Sequence, residues 1–179
     1  MKRLLLIIIS SFTLSSCSQD NCKKLLDAVN KRDITKVRIL LKTTNPNCSY
    51  RGIGEPRSPL VSAARKGDLT IGKLLISYNA STEYHSSGDE TPLIAASANG
   101  HLNFVSYLIK KGAKINKQVN GDGTALIVAV RNNHYKIAEI LLKNGADPML
   151  NSPGDEYPMY HAVSSKNEAM IALLKKYTK

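Results

Sequence analysis

One interval constrains this chain more than any other feature. Leu60, Leu93, Leu126 and Met159 stand 33 residues apart. Ala63, Ala96, Ala129 and Ala162 keep the same spacing, as do the apolar pairs Leu75/Ile76, Leu108/Ile109 and Leu141/Leu142. A period of that length means one supersecondary unit, repeated and stacked. The most regular unit runs from Gly88 to Asn116. After Gly88-Asp89-Glu90, Thr91-Pro92-Leu93 starts a short helix, because the N–H that proline lacks is unsatisfied in a first helical turn anyway. Asn99-Gly100 breaks that helix, a second apolar run (Phe104, Val105, Leu108, Ile109) forms a longer one, and Gly112 stops it. Neither helix buries its apolar face alone, so each unit needs its neighbours.

Thr91-Pro92-Leu93 with Ala96, followed by Gly112-Ala113 and, one period on, Gly145-Ala146-Asp147, resembles the ankyrin repeat. The histidine usual after the leucine is replaced by Val61, Ile94, Ile127 and Tyr160. The resemblance covers residues 21–179 and implies an all-α solenoid of about five helix-turn-helix repeats with hairpin-like tips, at 21–48, 49–83, 84–116, 117–150 and 151–179. The first repeat departs from the pattern: Lys23-Lys24-Leu25 stands at its start, and Ala28 precedes Ala63 by 35 residues. The extra length falls in the connection from Lys42 to Arg57, which holds Pro46, Gly52, Gly54 and Pro56 and is either a contact loop or a tolerated insertion. In the last repeat Lys166 replaces the bend glycine, and the unit is expected to act as a C-terminal cap, for which a polar outer face is the rule. The tips Gly88-Asp89-Glu90, Gly121-Asp122-Gly123 and Gly154-Asp155-Glu156 repeat a motif in which aspartate is expected to cap the next turn through its carboxylate.

Residues 1–16 have the composition of a targeting signal. Lys2 and Arg3 precede the apolar run Leu4 to Ile9, which is too short to span a bilayer. Leu14-Ser15-Ser16-Cys17 resembles a bacterial lipobox, which implies acylation of Cys17 and a short tether over 17–20; the alternative is an ordinary secretory signal with an incidental cysteine. Ser18 rather than aspartate after Cys17 implies, by resemblance to enterobacterial sorting, a periplasm-facing protein at the outer membrane, attached through the lipid anchor only. Two cysteines remain, Cys22 and Cys48. They fall at the start of one helix and after the end of its antiparallel partner, hence at the same end of the pair. In an oxidising compartment they form a disulfide, or else stay as two half-buried thiols.

The net charge of +11 falls to +9 when Lys2 and Arg3 leave with the signal. Export argues against nucleic acid, so the basicity points to an acidic protein or to phospholipid headgroups. Nothing in the chain has the spacing of a nucleophile elbow, a phosphate loop or a metal site, so no enzyme, cofactor or metal is expected. His101 and His134 come after the bend and are expected to serve helix-start hydrogen bonding; His85 and His161 lie near the tips.

What remains is a binding surface. In ankyrin arrays the concave face is built from the tips and the exposed side of each first helix. By position this implies a partner-contact set of Tyr50, Arg51, Arg57, Arg65, Lys66, Tyr84, His85, Glu90, Asn99, Asn120, Arg131, Asn132, Tyr157 and Tyr160, with Val119 beside them. Tyrosine and arginine are the types enriched at interface hot spots. The partner expected is another, acidic protein, met by a protein that is monomeric when free. Small exported ankyrin proteins resemble immunity partners of antibacterial effectors delivered by type VI secretion. A periplasmic scaffold and a headgroup-binding envelope factor are the other readings.

Overall fold

The computed structural model describes residues 19–51, 57–86, 89–121, 123–151 and 157–178. The expected signal segment 1–16, Cys17, Gly52, Gly54, Pro56, Gly88, Asp122 and the tip 154–156 lie outside them. The described residues form ten helices in five antiparallel pairs: α1 (19–30) with α2 (Ile34–Leu40), α3 (Pro59–Arg65) with α4 (Leu69–Ser77), α5 (Pro92–Ala98) with α6 (Leu102–Lys110), α7 (Ala125–Arg131) with α8 (Tyr135–Lys143), and α9 (Pro158–Ser164) with α10 (Glu168–Lys175). The described chain has no strand, only antiparallel bridges at two tips, Tyr50 with Arg57 and Val119 with Gly123. The fold is an all-α repeat array, as the interval predicts. No described helix is long and apolar enough to cross a membrane.

Local chemistry sets the helix boundaries. Pro59, Pro92 and Pro158 occupy first turns, and the Thr91 and Thr124 hydroxyls accept from the N–H groups of Ile94 and Ile127, both at 3.2 Å. Bends between paired helices need a left-handed residue. Gly67 (φ +65°) and Gly100 (φ +76°) supply it at no steric cost, whereas Arg32, Asn133 and Lys166 adopt it with side chains attached.

The first helices α3, α5, α7 and α9 pack side by side as one row, and α2, α4, α6 and α8 form a second row behind. A first helix is therefore flanked on three sides, which is why every residue from Pro92 to Ser97 is buried. The outer helices bury one stripe, such as Ile137, Ala138, Leu141 and Leu142 on α8. The core runs without interruption from Leu25 to Leu174. Each fully buried leucine, isoleucine or phenylalanine contributes about 1.5–3 kcal/mol. Phe104 sits so close over Gly72 that a Cβ there would come within 2.4 Å of its ring. Cys22 and Cys48 are joined, with their Cα atoms 6.0 Å apart, and the bond closes α1 and α2 into one covalent unit.

The two ends of the array differ. Lys23, Lys24, Asp27 and Lys31 of α1 and its exit are exposed and polar. The last pair does not present the polar end face expected of a cap. Tyr160 and Val163 are 53% and 55% exposed, where their equivalents in earlier repeats (Ile127 and Val130, for example) are buried under the next pair. Lys175, in the place of Leu142, is the polar substitution that the outer helix does make.

Candidate binding face

The tips and the first helices carry the fourteen contact candidates, which divide into two groups. The first is occupied with the fold itself. Asp89 (1% exposed) and Glu90 (7% exposed) are buried, and Arg65, at the end of α3, lies against both. Its Nη2 is 3.5 Å from Asp89 Oδ1, and its Nε pairs with Glu90 Oε1. Asp89 Oδ2 also accepts from the N–H of Ser58, 31 residues back, at 3.3 Å. Burial pushes the Asp89 carboxyl above its ordinary range; the Ser58 N–H, Arg65, the Glu90 N–H and Arg57 pull the other way. Glu90 is thus not a surface contact, and the tip aspartate does not cap its own helix, a task Thr91 performs. Asp89 reaches back and joins one repeat to the one before it. Val119 is likewise buried.

Asn132 belongs to the same group, since its Nδ2 donates to the carbonyl of Ala98 at 3.0 Å. Asn99 donates to the Ala95 carbonyl within its own helix, at 2.8 Å. The histidines after the bends make no capping bond. His101 Nε2 lies 3.0 Å from the carbonyl oxygen of Arg65, and His134 Nε2 lies 3.1 Å from that of Ala98, both one repeat back. Their rings rest on Gly67 and Gly100, where a Cβ would fall within 2.5 and 2.8 Å. They link repeats rather than start helices. Asn47 and Asn116, between the second helices and the tips, do the same. Asn47 binds the Asn79 carbonyl at 2.9 Å and the Ser81 N–H at 2.7 Å; Asn116 binds the Gly145 carbonyl and the Asp147 N–H, both at 3.0 Å. None of these links was legible locally, because each partner lies about one repeat away.

The second group faces outward. Arg51 and Arg57 flank the first tip, Asn120 lies on the third, and Lys66 and Arg131 end α3 and α7; all are exposed. Tyr50 is half-buried, bridged to Arg57 through paired backbone bonds of 3.1 and 3.2 Å, with Lys23 Nζ 5.6 Å from its ring centroid. Tyr84 and His85 are half-buried, and His85 Nδ1 lies 3.2 Å from the Ser86 carbonyl oxygen. Tyr157 and Tyr160 are 45% and 53% exposed, and the Tyr160 ring meets His161 edge-on at 5.7 Å. Among the described residues no group of three His, Cys, Asp or Glu side chains could hold a metal ion.

The family model for ankyrin repeats, in three copies, matches residues 25–119 and 60–152. The chain is an ankyrin-repeat protein. Ankyrin repeats are protein–protein interaction modules, and the matching family is one of binding scaffolds rather than of enzymes. A protein partner for this ankyrin array is expected at that level. A search of the curated proteins finds no match.

Proposed function

We propose that this ankyrin-repeat protein is a membrane-tethered, periplasm-facing binding module, and that it is an immunity protein that neutralises an antibacterial effector of lipase type by covering it with the concave face. The observation that carries this reading is the composition of the outward-facing group. Exposed cations at Arg51, Arg57, Lys66 and Arg131 run toward the exposed rings of Tyr157 and Tyr160, on an array held rigid by links between repeats. Such a surface complements an acidic cleft, with aromatic anchors at one end. The Cys22–Cys48 bond agrees with an oxidising compartment, and the Leu14-Ser15-Ser16-Cys17 sequence agrees with acylation at Cys17. A tether would keep the inhibitor beside the bilayer that such a toxin attacks.

The test is capture from periplasmic extract with the wild-type protein and with the double variant Lys66→Glu, Arg131→Glu. One acidic protein is expected to be retained by the wild type and lost by the variant. Expressed alone in the periplasm, that protein should kill cells lacking the array and spare cells that carry it. Retention by both forms would sink the concave face as the contact. A captured protein that is harmless on expression would replace immunity by scaffolding. Fractionation of Cys17→Ala, with the membranes washed in high salt, reads the anchor separately; the variant is expected in the soluble fraction.

A further inference from the structure

Ile39 is the most exposed large apolar side chain described, at 60%. The same position of the later outer helices holds Leu74, Tyr107, Ile140 and Leu173, and each of these turns toward the preceding pair or is buried. Lys73 of α4 lies over the Tyr107 ring, 5.7 Å from its centroid. Ile140 lines a groove with Leu102 and Ser106 of α6, and Leu74 and Leu173 are buried. Ile39 therefore points out of the N-terminal end of the array, where no described pair precedes it. The exposed cations Lys36 and Arg38 share its helix, with Lys36 one turn before it, and α1 carries the exposed Lys24 and Asp27. Asp33 is engaged in capping Lys36 N–H at 2.9 Å.

We infer that this end face rests on an anionic phospholipid surface, with Ile39 in the headgroup layer and Lys24, Lys36 and Arg38 against phosphates. An exposed apolar side chain on a helix pair rich in exposed cations is the pattern of interfacial binding. Chain length selects the bilayer over other occupants. On the reading that Cys17 is acylated, on which this inference rests, the anchor lies two residues before the first described residue of α1, a reach of at most about 7 Å. The anchor then holds the first pair at headgroup depth, and the end face is the surface that meets it. The lipid is thus not the only membrane contact, contrary to the expectation of attachment through the anchor alone. The far end of the array, with Tyr157 and Tyr160, is turned away from the bilayer.

Unacylated protein beginning at Ser18, whose core lies wholly between Leu25 and Leu174, tests the face without the anchor. It is floated with vesicles of phosphatidylcholine alone and of phosphatidylcholine with phosphatidylglycerol, at low and at high salt. Binding is expected only to the anionic vesicles and is lost at high salt. A near-surface cation is worth about fivefold in partitioning, so Lys36→Glu with Arg38→Glu should lower binding by more than about twentyfold. Ile39→Ser should lower it by about tenfold, while Lys175→Glu with Lys176→Glu, at the far end, should change it less than about threefold. No binding to anionic vesicles overturns the inference, as does an equal loss from the far-end pair. It also falls if Ile39→Ser abolishes a concentration-dependent dimer of the wild type, which would make a second copy the occupant. The salt-washed fractionation of Cys17→Ala is read independently: release there without vesicle binding keeps the anchor and removes the face. A membrane-bound wild type whose mass shows no acyl group removes the anchor and, with it, the geometry argued here.

Discussion

Asp89 is the residue whose role least resembles its sequence context. In the chain it is one more turn aspartate; in the fold it is buried and joins Ser58, Arg65 and the N–H of Glu90. Removing it leaves a buried N–H at Ser58 without its acceptor and takes one of two carboxylates from Arg65. Asp89→Ala should cost about 2 kcal/mol in urea unfolding. Its pH dependence has an unusual sign. Because the folded carboxyl titrates above its unfolded value, the folded state binds that proton more tightly. This residue's contribution therefore grows more favourable as pH falls through the raised value toward the ordinary aspartate range, and it is least favourable above it. Asp89→Asn should flatten that part of the stability–pH profile. A variant profile with the same slope as the wild type would remove Asp89 as its source.

At the scale of elements, the period, the helix pairs, the first-turn prolines and the glycine bends were all legible, because each is written in residues close together in the chain. What reached across repeats was not. Arg65 and Glu90 looked like neighbours on a contact surface, yet they bind each other, since a salt bridge one repeat apart leaves no local signature. His101 and His134 occupied a position that suggested helix capping, and only the stacking showed carbonyl oxygens of the preceding repeat within their reach. The exposed ends leave no local signature for a related reason: Ile39 and Val163 carry the pattern of an inner repeat, and their exposure comes from the absence of a neighbouring pair among the described residues. The bends offer a graded test of this element. Gly100→Ala meets both a left-handed backbone and the His134 ring, and should lose about 2 kcal/mol. Lys166→Gly relieves the same backbone where a side chain already bears it, and should gain about 1 kcal/mol. Thermal midpoints that moved in the same direction for both variants would refute the account of the bends.

Across the whole molecule, stability is a sum over pairs and the interfaces between neighbours, so a change at one end is felt most by the pairs nearest it. The disulfide closes a loop between residues 26 apart and should contribute about 3 kcal/mol; Cys22→Ser with Cys48→Ser should lower the unfolding free energy by that amount. The loss should be concentrated in α1 and α2, where amide hydrogen exchange would quicken more than in α9 and α10. Uniform acceleration along the chain would mean that the array opens as one block. A cross-link at the first pair, set against an uncovered final pair, also gives the molecule a fixed end and a fraying end. Heat or mechanical load then opens α9 and α10 before the disulfide-closed first pair.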